Sequence, residues 1–320
     1  MMRVIQVGIG GMGNAWLKAV QTSPDVSYAG FVEVSATTAQ QQVDTYGLDP
    51  QIIFPSLGEA LVRVQADGVL NVTPPRFHRD VSVTALRAGL PVLSEKPLAD
   101  TLDAARDIVR VSNETGVLHM VAQNYRYSVP AQTVKQVLAS GRLGRVASVT
   151  VDFFRGPHFG GFREQMDYPL IVDMSIHHFD LMRFFLEGDA TSISGRSWNP
   201  PWSWFRGDAS ASVSLAFASG VVVAYNGSWC SLGREMSWNG DWRFECEHGV
   251  LALRENQVSI EQGGSEPTVI SPVAFPLAGQ AYLLDEFHRA VTTGVPPATT
   301  CQDNIRSLEL VFRTIQAFGA

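Results

Sequence analysis

The chain has 320 residues, 45% hydrophobic and 17% charged, with a formal net charge of −7 and a pI of about 5.5. That is enough apolar material for a large core in two domains. The acidic balance, without a basic run interleaved with aromatics, argues against a nucleic-acid surface. No apolar run approaches the length of a membrane span, and a strand beginning at Arg3 leaves no room for a signal peptide before it. Cys230, Cys246 and Cys301 are odd in number and widely spaced. They form neither a disulfide framework nor a zinc pattern and fit a reducing cytoplasm.

Arg3 to Val7 reads as a buried strand running into Gly8-Ile9-Gly10-Gly11-Met12-Gly13 and then into an apolar helical pattern. This is Gly-x-Gly-x-x-Gly in the context of strand, tight turn and helix. Gly8 permits the turn, Gly10 lets the backbone approach a pyrophosphate, and Gly13 lets the helix pack on the strand. The N–H groups of Gly11 and Met12 would face phosphates from the helix N-terminus. A strand from Val26 to Val34 carries Glu33, about twenty residues beyond the last glycine, where such a fold sets a carboxylate against the ribose hydroxyls. No Arg or Lys between Val34 and Gln42 awaits a 2′-phosphate. NAD is therefore expected over NADP, although Gln41 or Ser35 could accommodate the latter.

Val43 to Ile53 reads as a helix and short return, Leu57 to Val64 as a helix, and Gly68 to Thr73 as a strand. Pro74 and Pro75 stop that strand, so the chain turns at its carboxyl end, where an open parallel sheet faces its ligand. Thr73 and Pro74 join the expected cofactor set. His78 is counted with them, as a residue that starts or braces the next helix and not as a catalyst. A helix from Val81 to Ala88, a strand from Pro91 to Ser94, a helix from Leu102 to Asn113 and a strand from Val117 to Gln123 complete an alternating pattern. Alternation of this kind gives a doubly wound α/β Rossmann domain over 1–123.

The strand ending at Ser94 delivers Glu95-Lys96-Pro97. Lys18, Lys96 and Lys135 are the only lysines in the chain. Pro97 biases Lys96 away from helix. A lysine at a rigid corner can place its ammonium in a cleft for proton transfer, and Glu95 and Lys96 are also counted with the cofactor set. The plainer reading is a surface lysine in a turn.

The remainder, 124–320, reads as a second α/β domain. A helix from Pro130 to Ser140 leads to an alternating strand from Val146 to Phe154. The loop from Arg155 to Tyr168, with His158 and Arg163, is suited to cover a substrate. Asp173 and His177 lie four apart on a helical pattern from about Leu170 to Leu186, which sets them on one face with Asp180 and Phe184. His178 points aside and packs or caps. A lone histidine on such a helix is otherwise a satisfied core residue. Adjacent helical histidines do not easily share a metal and no zinc-protease spacing occurs, so no metal is expected. Six short strands between Ser192 and Gln262 make a large, mostly antiparallel open-faced sheet. Most tryptophans fall here, as core or interface, with Trp202 or Trp204 as a pocket wall. An uncovered sheet face is commonly buried by a second copy, so a homodimer or homotetramer is expected. Helices over Tyr282 to Val291 and Asn304 to Phe318 close the chain.

Gly8-x-Gly10-x-x-Gly13, Thr73-Pro74-Pro75-x-x-His78 and Glu95-Lys96-Pro97 occur in order, followed by Gln123-Asn124-Tyr125-Arg126, Gly141-Arg142-Leu143-Gly144 and Asp173-Met174-Ser175-Ile176-His177. Together they resemble the glucose–fructose oxidoreductase / inositol dehydrogenase (Gfo/Idh/MocA) family over essentially the whole chain. The resemblance implies hydride transfer between a nicotinamide and a secondary alcohol or ketone of a sugar, cyclitol or related polyol. It maps the catalytic Lys, Asp and His onto Lys96, Asp173 and His177, and it implies a cis Lys96–Pro97 bond. Ser175 departs from the family, which more often has Gly, and could add a hydroxyl to the site. Tyr125, Arg126, His158 and Arg163 are candidate substrate contacts beside Lys96, Asp173 and His177. Either His177 or Lys96 could be the acid/base. Competing readings are a non-catalytic NAD-dependent sensor on the same fold and a sugar oxidoreductase that retains its cofactor.

Overall fold

The computed structural model describes Met1–Phe275 and Leu277–Gly319. The chain divides into two compact units, one of Met1–Asn124 with Leu277–Ile305, the other of Tyr125–Pro276 with Arg306–Ala320. A single cut after residue 123 therefore describes the first crossing only. The segment after 276 returns to the first unit, because the helix it carries packs its apolar face there.

The first unit begins β1 (Met2–Val7), α1 (Gly13–Gln21), β2 (Val26–Val32) and α2 (Ala36–Tyr46), followed by β3 (Ile53–Phe54) and α3 (Leu57–Arg63). It continues through β4 (Gly68–Asn71), α4 (His78–Arg87), β5 (Val92–Ser94), α5 (Leu102–Thr115) and β6 (His119–Val121). Six parallel strands run in the order β3-β2-β1-β4-β5-β6. The order reverses between β1 and β4, and in such sheets the ligand crevice opens at the carboxyl ends beside that reversal. β1, β4 and β5 are buried on both faces, which accounts for their continuous apolar runs. Helix starts are locally encoded: Ser35, Ser56 and Thr101 each accept a first-turn N–H with the side-chain oxygen. The Ser35 cap starts α2 seven residues before the expected Val43. The Thr- and Gln-rich sequence hides it, because the helix buries only Gln42 and carries little apolar stripe. The returning helix, numbered later in the chain as α8 (Gly279–Thr293), packs against α1, and its buried Phe287 approaches Gly68.

The second unit contains α6 (Val129–Ala139), β7 (Val146–Phe154), a π-helical turn over Leu170–Ser175 and α7 (Ile176–Leu186). Seven more strands follow: β8 (Ala190–Trp198), β9 (Ser210–Phe217), β10 (Val222–Ser228), β11 (Asp241–Cys246), β12 (Gly249–Arg254), β13 (Gln257–Glu261) and the unanticipated short β14 (Thr268–Val269). Eight strands lie in the order β14-β13-β12-β11-β7-β10-β9-β8. The sheet is antiparallel except where β10 runs parallel to β7. β9 and β10 alternate buried and exposed residues, so one face covers the core and one is open, as period-two patterning dictates. Helix α9 (Cys301–Ala317) ends the chain. Among the described residues no helix is long and apolar enough to cross a membrane.

Candidate functional site

The glycine turn has the geometry its spacing implies. Gly8 sits at φ +90°, and a Cβ there would lie 2.8 Å from the Val72 carbonyl oxygen. At Gly13 a Cβ would meet the Gly8 oxygen at 2.9 Å, whereas at Gly10 it would meet nothing. Two of the glycines are thus demanded by the protein's own packing, and the third leaves open space at the turn, as a close ligand requires. Helix α1 has no side-chain cap and no acidic residue in its first turn. The N–H groups of Asn14 and Ala15 close onto the Gly11 and Met12 carbonyls, and the positive end of the helix ahead of them favours an anion. The Glu33 carboxylate, just past β2, accepts from Ile9 N at 3.3 Å and Ser35 N at 3.0 Å. It stands directly beside the glycine turn. These residues fit a dinucleotide: phosphates at Gly10–Gly13 and ribose hydroxyls at Glu33.

Sequence reading passed over Gln6. Buried in β1, it donates from Nε2 to the carbonyls of Gly8 and Gly13 and accepts the Tyr28 hydroxyl at 2.7 Å. It pins both ends of the glycine turn, and the available signal was an amide inside an otherwise apolar strand.

At the carboxyl ends of β4 and β5 the polar groups are tied together. Thr73 donates its hydroxyl to Asn71 Oδ1 at 2.7 Å. His78 is fully buried at the start of α4, its ring nitrogens each 2.8 Å from a carbonyl, Pro97 and Thr73. The ring therefore braces two corners of the backbone. It has no surface with which to touch a cofactor, and the cofactor role counted for it is corrected to bracing. Burial pushes its pKa down, against the pull of the two carbonyls. The Lys96–Pro97 bond is cis. Lys96 and Glu95 are both half-buried. Burial raises the pKa of the Glu95 carboxyl, while the Trp16 indole and Lys96 oppose the shift.

In the second unit, His177 is buried at the start of α7, and its ring stacks on Tyr125 with centroids 4.0 Å apart at 19°. Asp173 belongs to the π turn, wider than the expected α-helical turn, and its Oδ2 accepts from Arg163 Nε at 2.6 Å. Arg163 also lies over the rings of Phe159 and Phe162. His158 is exposed and stacks on Trp204 at 3.8 Å, while Trp204 Nε1 donates to the Pro157 carbonyl. The loop thus carries an aromatic wall held by its own bonds.

Other expected site residues turn inward. The Arg126 guanidinium makes a two-pronged bond to the buried Asp180, Nε to Oδ2 at 2.6 Å and Nη2 to Oδ1 at 2.7 Å. It builds the interior of this unit, and the substrate role expected for it is corrected accordingly. Asp180 leaves the face shared by Asp173 and His177 for the same reason. The Ser175 hydroxyl is buried against Tyr225 at 2.8 Å and adds nothing to a cavity surface. His178 lies in the same interior chain, Nδ1 3.3 Å from the Tyr225 hydroxyl and Nε2 3.2 Å from the Trp238 carbonyl. Burial lowers its pKa to about 4, so it packs as a neutral ring. Among the described residues no group of three or more His, Cys, Asp or Glu could hold a metal ion.

A parallel sheet with a dinucleotide turn, carried on the same chain as an open antiparallel sheet, defines a two-domain nucleotide-binding protein. The chain belongs to the Gfo/Idh/MocA oxidoreductases: residues 2–123 match the oxidoreductase family's NAD-binding Rossmann fold, and residues 131–252 match the GFO/IDH/MocA C-terminal domain. The uncharacterized protein y4oX of Sinorhizobium fredii is 28% identical, over 98% of this chain and 93% of that one. Inositol 2-dehydrogenase of Rhizobium meliloti is 26% identical, over 97% and 95%. An oxidoreductase from Agrobacterium radiobacter, crystallised with NAD+, L-tartaric acid and magnesium, shares the fold with a TM-score of 0.90 at 20% identity, over 99% and 96%. The chain is an NAD-binding oxidoreductase.

Proposed function

We propose that the protein reversibly oxidises a secondary alcohol of a sugar, cyclitol or related polyol, with Lys96, His177 and Asp173 as its working side chains. The observation that carries this reading is Lys96 itself, one of three lysines, set half-buried at the carboxyl end of β5, the same edge of the parallel sheet from which the dinucleotide turn leaves β1. Bound NAD supplies the hydride acceptor. His177 takes the hydroxyl proton, and its stack on Tyr125 holds the ring plane. Lys96 donates a hydrogen bond to the same oxygen and stabilises the charge that builds there during reduction. Asp173, paired with Arg163, orients His177 or receives a neighbouring substrate hydroxyl. His158 and Trp204 offer a flat face to a sugar ring.

The inositol dehydrogenase relative supports the polyol class. A panel of inositols, sugars and sugar acids, followed by NADH absorbance, tests it. Lys96→Ala and His177→Ala should each lower kcat by about 10²- to 10⁴-fold, with NAD still bound. Turnover near wild type in either variant removes that residue from the mechanism. The protein acts in the cytoplasm as a homodimer or homotetramer, joined through the open sheet face; light scattering of a monomer would refute the assembly.

A further inference from the structure

Trp16 stands apart from the other tryptophans. It lies on α1, three residues after Gly13, and is 1% exposed. Its Nε1 donates to Glu95 Oε1 at 2.8 Å. The other carboxylate oxygen, Oε2, accepts from the backbone N of Lys96 at 3.3 Å, and the backbone N of Glu95 donates to the Asn71 carbonyl at 2.9 Å. The Glu95 carboxylate thus joins the dinucleotide helix to the residue carrying the working ammonium, while its backbone N–H ties the same corner to the end of β4.

We propose that Trp16 and Glu95 form a positioning pair for Lys96, in which the indole N–H holds the half-buried carboxylate that sets the direction of the Lys96 corner. An indole can only donate, and an ionised carboxylate can only accept, so the bond has one polarity. Hydrogen bonds to a charged acceptor are the strong kind, and a buried carboxylate depends on them. Trp16 from α1 and Lys96 are the groups that favour the ionised form of Glu95 against burial. Loss of the indole N–H therefore leaves a carboxyl that takes a proton more readily and a Lys96 backbone N–H with a weaker acceptor. The proposal rests on the reading of Lys96 as the group that meets the substrate oxygen.

The test uses Trp16→Phe, which keeps a buried aromatic ring and removes the donor, with Glu95→Gln and the double variant. Calorimetry of NAD+ binding and thermal unfolding check that the fold and cofactor site survive. The expected result for Trp16→Phe is a kcat about tenfold lower, the scale of one charge-assisted hydrogen bond, with KM nearly unchanged. The acid limb of the kcat/KM profile should move to higher pH, a readout that looser packing would not shift. The double variant should be no worse than Glu95→Gln alone, because both changes remove one interaction. A wild-type profile in Trp16→Phe, or losses that simply add, overturns the pair. A separate arm needs no turnover: with only three lysines in the chain, ¹³C-dimethylated protein gives a resolvable Lys96 resonance. Its chemical shift should move in Trp16→Phe even if the substrate class is wrong, and an unmoved Lys96 resonance refutes the pair on its own.

Discussion

Tyr125 and His177 stack face to face, 52 positions apart in the chain, with ring centroids 4.0 Å apart and planes 19° from parallel. The stack fixes the imidazole plane without using either ring nitrogen. Burial also raises the Tyr125 pKa above its ordinary value, so the phenol stays neutral. Tyr125→Phe should keep kcat within about twofold. Tyr125→Ala should lower it by roughly 2- to 10-fold, the 0.5–1.5 kcal/mol of one aromatic pair. Steady-state kinetics on the preferred polyol decides; equal losses in both variants would point to the hydroxyl instead.

Two glycines of one motif should fail differently. Gly8→Ala forces a side chain into φ +90° with its Cβ 2.8 Å from the Val72 oxygen. It should cost about 1–3 kcal/mol of stability and lower the unfolding temperature. Gly10→Ala meets no protein atom and should unfold like wild type while losing NAD affinity. Calorimetry of unfolding and of binding on both variants separates the two.

On the proposed assignment Glu33, bonded to Ile9 N and Ser35 N, meets the ribose hydroxyls and opposes a 2′-phosphate. The native protein should show a much lower KM for NAD than for NADP. Glu33→Ala should narrow that ratio by about tenfold or more through loss of like-charge repulsion. A native preference for NADP would refute this assignment.

The Arg126–Asp180 pair is interior, and Ser307 also donates to Asp180 at 2.6 Å. Removing one partner strands a buried charge, so Arg126→Ala or Asp180→Ala should cost about 3–5 kcal/mol in chemical denaturation. A variant of normal stability with a raised substrate KM would return Arg126 to the substrate.

His178 and His119 are fully buried, and burial lowers their pKa values to about 4 and about 3. In the unfolded chain each takes a proton below about pH 6.5. The folded chain does not until much lower pH, so stability is complete above that value and is lost as pH falls toward 4. At pH 4 His178 alone accounts for about 3 kcal/mol. Glu95, its pKa raised by burial, acts in the opposite sense. Urea unfolding between pH 7 and 4.5 should show stability falling, and His178→Gln should flatten the slope. An unchanged slope in that variant would show that His178 is protonated in the native state.

The local rules that made the fold legible are visible in particular elements. β1, the glycine turn and α1 follow from an apolar run, three glycines and a 3.6-residue stripe, all within about twenty residues. The strands of the second sheet were read from period-two alternation, and β7 matches its expected ends, Val146 and Phe154, residue for residue. α2 was misplaced because its signal is a capping serine without an apolar face. The turn holding Asp173 was read as α-helical because a π turn differs by one residue of hydrogen-bond span, which side-chain spacing barely records.

The amino-acid sequence by itself determined the backbone plan: which segments are strand or helix, where the dinucleotide turn lies, and which rare lysine follows β5. Those are properties of neighbours in the chain, enforced by sterics and by the period of apolar residues. Only the tertiary structure decided which polar groups meet. It gave His78 to two carbonyls, Arg126 to Asp180, Trp16 to Glu95, and the late helix α8 to the first unit. Most of these partners lie well outside any local window, Arg126 and Asp180 54 residues apart and Trp16 and Glu95 79, and a buried charge or ring nitrogen takes whichever complementary group the packed core brings within hydrogen-bonding distance.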